Sequence, residues 1–321
     1  MSTLFHLGGL PVTSYGVNIA LAMAVVWAVT CGYAAEKGAP STLWIPLGLW
    51  MVPLTWGMAR LVYVLANITY YTTTLSNPWL AFRFWDGGYS AVGAAAGILL
   101  SAWGFAKANR LSVGEWMDGA GMSMLLGVAL IRAAEAGTDL GLGKAVGAAW
   151  MRQIPFFSVE DGTGEMVHAV FLYEVAAAIM ISLVVLWWLS EKRKKHLHPG
   201  DIAMIVVTLL SLTQIFMESL RDDGHMVVHF VRISQVVCMV AAIWVLAALG
   251  KRRPKHYALR WMIFLLGLGN VIYQEFLIDS SEHPALNYAF MVLSLCAMGW
   301  TILSCIGCHC DHPAVPSGKK A

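Results

Sequence analysis

Charge is scarce in this chain. Asp, Glu, Lys and Arg make up 12% of its 321 residues, about half the share found in soluble domains. That scarcity excludes an ordinary soluble protein with a solvated, charged surface. Cysteine is also sparse, at six residues. Cys31, Cys238 and Cys296 fall inside apolar runs and read as small hydrophobes, so no disulfide framework is expected. The opening "MSTLFHLGGLPVTSYG" has no basic stretch ahead of its first apolar run. A cleaved signal peptide is therefore not expected.

Apolar residues are abundant, at 58%, with a mean hydropathy of +0.65. Nine segments, near 17–35, 43–65, 89–106, 119–136, 169–190, 201–220, 229–249, 259–277 and 286–305, approach the ~20 apolar residues that a bilayer span needs. In lipid each must be a helix, because every backbone donor and acceptor has to be satisfied within the segment. The expected fold is all-α, a polytopic transmembrane helix bundle.

The few charges carry information through their positions. With the N-terminus outside, the inward loops collect Lys37, Lys107, Arg110, Lys192 to Lys195, Lys251 to Arg260 and the C-terminal lysines. That bias predicts an outside N-terminus and a cytoplasmic C-terminus. These basic runs read as topology signals, and nucleic acid is not an expected partner.

Arg60, Arg83, Arg132, Lys144, Arg152, Arg221 and Arg232 break this rule. Lys144 and Arg152 fall in a long outer loop and need no special account. Arg132 lies within a span, one turn from Glu135, so an internal pair and an anion site both remain open. Around it in the outer half come Arg60 and Tyr63, then Arg83, Asp86, Gly87 and Gly88, then His168, Tyr173 and Glu174. Gln214, Glu218 and Arg221 follow, then His229, Arg232 and Gln235. Glu218 and Arg221 can pair on one helix face. Converging guanidiniums suit a phosphate, which they bind bidentately. In a bilayer the available phosphate belongs to a phospholipid head group.

The tail "CIGCHCDH" contains a C-x-x-C-H haem-attachment pattern. Its cytoplasmic placement argues against haem. Cys305, Cys308, Cys310 and His309 or His312 are possible zinc ligands, against the simpler reading of reduced thiols following a span. No metal or cofactor is expected. The small-residue runs "GAAAG" and "GAGMSMLLG" read as close helix packing.

From Ser14 to Leu249 the chain resembles the prolipoprotein diacylglyceryl transferases. The resemblance rests on "SYG" at 14–16, "RLVYVL" at 60–65, "FRFWDGG" at 82–88, Arg132, "HAVFLYE" at 168–174, "MESLR" at 217–221 and "ISQ" at 233–235. It implies a seven-helix core in the bacterial inner membrane. It also implies transfer of the diacylglyceryl group of phosphatidylglycerol to the lipobox cysteine thiol of a lipoprotein precursor, with glycerol phosphate leaving. Tyr15 and Arg132 are the implied reacting positions, and Glu135 and His168 are candidates to handle the proton. Arg60, Arg83, Asp86, Gly87, Gly88, Tyr173, Glu218 and Arg221 are the implied substrate-binding ones.

The chain departs from the family pattern at Val92, where the family has a histidine, at Glu135 for an asparagine and at Gln214 for an arginine. His168, His225, His229 or Glu135 then becomes the candidate base. A non-catalytic or re-purposed lipid-binding paralogue is the alternative. The expected organisation is a transferase-like membrane domain over 1–250, a two-helix segment over 251–305 and a Cys/His tail over 306–321.

Overall fold

The computed structural model describes residues 3–8, 10–74, 77–83, 87–136, 138–190, 197–222, 227–228, 231–251, 256–278, 280–281 and 283–306. Asp86, His225, His229, Cys308, His309, Cys310 and His312 lie outside the described residues.

Among the described residues, nine helices are long and apolar enough to cross a membrane. They are α1 (Ser14–Glu36), α2 (Trp44–Ala66), α3 (Ala91–Ala108), α4 (Val113–Ala134), α5 (Val170–Trp188), α6 (Asp201–Leu220), α7 (Ile233–Gly250), α8 (Tyr257–Ile278) and α9 (Pro284–Leu303). At 1.5 Å per residue these lengths match the hydrocarbon thickness of a bilayer. Large apolar side chains point outward, Ile45 and Leu49 among the most exposed, as expected where the solvent is lipid. The protein is a multi-pass, all-α membrane protein, and its described residues include three small hairpins. These pair β1 (Thr3–Leu7) with β2 (Leu10–Thr13), β3 (Ser158–Glu160) with β4 (Met166–His168), and β5 (Val227–Val228) with β6 (Val231–Arg232).

The chain divides into two compact units. One comprises Met1–Trp187 with Pro199–Ile243, the other Trp188–His198 with Trp244–Ala321. In the first, α2 and α3 run antiparallel and very close. A Cβ on Gly93 would lie 2.6 Å from the Met58 carbonyl, and one on Gly97 would lie 2.6 Å from Thr55 Cα. Only glycine permits that approach, as the spacing of "GAAAG" predicts. Helices α1 and α4 pair in the same sense, with Thr30 Oγ1 and Ser123 Oγ bonded at 2.9 Å across the seam.

Helix starts are capped by side chains. Thr13 accepts from the Gly16 N–H at 3.1 Å, and Ser90 accepts from the Gly93 N–H at 3.2 Å. The start of α6 is capped from another helix. Gly200 there is left-handed (φ 97°) and provides no side chain, and buried Asp118 of α4 accepts from the N–H groups of Gly200 (2.8 Å) and Ala203 (2.9 Å). Asp118→Ala should lower stability by about 2 kcal/mol, the upper end for a lost cap, because the orphaned N–H groups are buried. Thermal unfolding in detergent micelles measures this, and Asp118→Asn should recover part of the loss.

The long loop between α4 and α5 is ordered by a strap over residues 141–146. The Gly143 N–H donates to the His168 carbonyl at 2.8 Å, and the Lys144 N–H donates to the Leu220 carbonyl at 2.9 Å. The Phe171 N–H donates to the Gly141 carbonyl at 3.0 Å. This backbone ties the start of α5 to the end of α6.

In the second unit α8 and α9 form an antiparallel hairpin. Gly267 packs on Met298, and Asn270 Nδ2 donates to Ser294 Oγ at 2.7 Å. Near its other end Arg260 Nη1 donates to Cys305 Sγ at 2.9 Å.

Candidate functional site

Two clusters form at the end of the first unit where α1, α3 and α5 begin and α2, α4 and α6 finish. The first is built on Arg60, which is buried near the end of α2. Its Nε donates to the Ala81 carbonyl (2.9 Å), Nη2 to Leu80 (3.3 Å) and Nη1 to Gly87 and to Gly88 (3.1 Å). The guanidinium also lies 5.7–6.0 Å from the ring centres of Tyr63, Tyr71 and Tyr89, within cation–π range. Arg60 therefore organises the loop through backbone carbonyls. Arg83, exposed, joins Arg60, Tyr63, Tyr70 and Tyr71 around a cavity of about 350 Å³ that reaches Gly87 and Gly88.

Gly88 is left-handed (φ 74°), and a Cβ there would overlap the Tyr63 ring and come within 2.9 Å of Arg60 Nη1. Gly88→Ala is expected to displace the loop and lower activity several-fold or more while circular dichroism stays unchanged.

The second cluster is a buried ion network. Arg132, in the last turn of α4, puts Nη1 2.6 Å from Glu135 Oε1 and Nε 2.6 Å from Glu174 Oε2. Arg221, just past α6, reaches Glu174 Oε2 at 2.8 Å and Glu135 Oε2 at 3.9 Å. Arg232, in β6, lies 3.7 Å from Glu218 Oε2 and donates to the Arg221 carbonyl at 2.9 Å. Gln214 donates to Glu218 Oε1 at 2.9 Å. Tyr15, half-buried in the first turn of α1, stands within electrostatic reach of Glu135, Arg132 and Arg221. The internal Arg132–Glu135 pair left open by the sequence is thus present, inside a larger array.

His168 ends β4 at the edge of the strap. Tyr173 has one hydroxyl proton, and the Phe157 carbonyl accepts it at 2.6 Å. His168 Nδ1, 3.0 Å from that hydroxyl oxygen, must then be the donor. The other ring nitrogen, Nε2, keeps its lone pair and can accept a proton. Burial holds the imidazole below its ordinary pKa, so the ring is neutral at neutral pH.

A family model described as prolipoprotein diacylglyceryl transferase matches residues 2–250. The chain belongs to that family. Among its curated relatives, a phosphatidylglycerol–prolipoprotein diacylglyceryl transferase of Bacillus licheniformis is 30% identical over 256 residues, covering 78% of this chain and 92% of the relative. Proteins of the same name from Lysinibacillus sphaericus and Trichormus variabilis are each 28% identical. They cover 78% of this chain and 92% and 90% of their own lengths.

Within this prolipoprotein diacylglyceryl transferase family member, the positions picked out by sequence separate into distinct places. Arg132, Glu135 and Arg221 share one array with Glu174, and Glu218 adjoins it through Arg232. Arg60, Gly87 and Gly88 make the loop cluster, with Arg83 on its cavity. Tyr173 orients His168. Val92 occupies the first turn of α3 and offers no titratable group. The strap was not legible in advance. Gly141 is left-handed (φ 69°), and a Cβ there would overlap Glu135 Oε2, so the network depends on a glycine in a loop that the sequence left unexplained. The paired glycines of "GLG" at 141–143 were the available signal.

Proposed function

We propose that the chain transfers the diacylglyceryl group of phosphatidylglycerol to the lipobox cysteine thiol of a lipoprotein precursor. The observation that carries this reading is that Arg132 and Arg221 meet on Glu174, while the strap bonds the backbone of His168, whose Nε2 is left as an acceptor, beside that of Leu220, the residue before Arg221. In this reading His168 Nε2 takes the thiol proton, since thiolate is the nucleophile. The sulfur bonds to the glyceryl carbon attached to the phosphate oxygen. That C–O bond breaks, and its electron pair leaves with glycerol phosphate. Arg132 and Arg221 stabilise the charge gathering on the departing phosphate. Tyr15 orients the substrate near them. Arg60, Gly87 and Gly88 shape the cavity that Arg83 lines, and Asp86 belongs to the same loop by sequence. Glu218 positions Arg232.

The reaction belongs to the outer face of a bacterial inner membrane, with the N-terminus outside and the C-terminus cytoplasmic. The Lys and Arg distribution supports that orientation. The family match ends at 250, which supports a catalytic membrane domain over 1–250. Segments 251–305 and 306–321 are additions to it.

The alternative, a lipid-binding paralogue without turnover, is favoured by one observation. Arg132 is already engaged by two carboxylates. Purified protein in phosphatidylglycerol vesicles with a lipobox peptide decides between them. Thioether-linked diacylglyceryl peptide, identified by mass spectrometry, is the expected product. Folded protein that retains lipid and yields no product overturns the transferase reading in favour of the paralogue.

A further inference from the structure

The buried network is electrically balanced. Three guanidiniums, of Arg132, Arg221 and Arg232, face three carboxylates, of Glu135, Glu174 and Glu218. Such an array presents no net positive field, and so gives an anionic lipid no electrostatic advantage over a zwitterionic one. Two of its oxygens, Glu135 Oε2 and Glu174 Oε1, are buried and accept no hydrogen bond among the described residues. Their side chains are only 5% and 3% exposed. Glu135 Oε2 lies against Gly141, where a Cβ would overlap it, and Arg221 Nη2 stands 3.9 Å away, beyond hydrogen-bond range. A buried carboxylate oxygen without a donor is unfavourable, and the partner that relieves it best is a cationic N–H group.

We infer that this site takes a phospholipid whose head group carries a primary ammonium. The phosphate meets Arg132 and Arg221, and the ammonium donates to the open oxygens of Glu135 and Glu174. The inference rests on the transferase reading for its chemistry and widens the lipid donor beyond phosphatidylglycerol. The step stays balanced. The thiolate sulfur bonds to the glyceryl carbon, the C–O bond breaks, the electron pair leaves with an ethanolamine phosphate monoester, and His168 holds the thiol proton.

The test uses the full chain in vesicles holding equal amounts of phosphatidylethanolamine and phosphatidylglycerol. Different acyl chains mark the source of each diacylglyceryl group. Mass spectrometry reads two ratios, of lipid retained on the purified protein and of diacylglyceryl peptide formed. Wild-type protein should retain the two lipids within about threefold of each other, and Glu135→Gln should shift retention toward phosphatidylglycerol by about tenfold, the scale of one charge-assisted hydrogen bond. A wild-type preference for phosphatidylglycerol of about tenfold or more, or a ratio unchanged in Glu135→Gln, overturns the inference. Glu174→Gln supplies the same reading where Glu135→Gln does not fold. Absence of diacylglyceryl peptide from both lipids overturns the transferase reading instead, while the retention ratio still decides the head-group preference.

Discussion

Arg132→Ala is expected to lower diacylglyceryl transfer by about two to three orders of magnitude, the usual consequence of removing one donor that stabilises developing charge. The same change should destabilise the fold. Arg132 holds both Glu135 and Glu174 at 2.6 Å, and its loss leaves two buried carboxylates with Arg221 as their remaining cation. Breaking a buried pair from one side costs about 3–5 kcal/mol. Arg132→Lys keeps the charge and loses the fork that spans two carboxylates, so it should recover stability better than rate. Product formation per folded molecule, with thermal unfolding measured in parallel, separates the two effects. An alanine variant that folds normally and retains wild-type turnover removes Arg132 from the reaction.

His168→Gln should slow transfer by about two to four orders of magnitude, the range for a positioned general base. Its signature is a pH profile. Burial lowers the His168 pKa from its ordinary value, and Nε2 accepts a proton only while the ring is neutral. Wild-type kcat/KM should therefore be level near neutrality and fall below about pH 6.5, once the lowered pKa is approached. The glutamine variant should lack that acidic limb. Stability follows the same sign. The folded chain binds this proton more weakly than the unfolded chain, so stability falls as pH drops from about 6.5 toward the lowered pKa. Glutamine at 168 removes that dependence as well. Tyr173→Phe is a direct check on the tautomer. It removes the acceptor for the Nδ1 proton and frees the ring to turn, so a partial loss of rate with an altered acidic limb is expected.

The membrane helices and the family were legible because both signals are local. Runs such as 201–220 are apolar enough to need a helix whatever surrounds them, and "FRFWDGG" is a contiguous motif. Partner choice was less legible. Arg132 and Glu135 are one turn apart, so their pairing was foreseeable. Arg221 and Glu174 are far apart in sequence yet 2.8 Å apart in space, which no spacing rule predicts. The partners of Arg60, expected as a substrate-binding position, were not legible either. Its four backbone carbonyl partners come from residues 80, 81, 87 and 88, and they converge only when the loop folds back over α2.

The sequence by itself determined the spans, their number, the family and the residue types available for chemistry, because burial in lipid and a contiguous motif depend on neighbours along the chain. The tertiary structure decided what those residues do. It joined three arginines and three glutamates into a balanced array, turned the loop before α5 into a strap that brings Gly141 against Glu135, and fixed the His168 tautomer through Tyr173 and a carbonyl at Phe157. Each of these rests on contacts within about 4 Å that the folded backbone sets, and at that range hydrogen-bond geometry and burial set the charge state and role of a side chain.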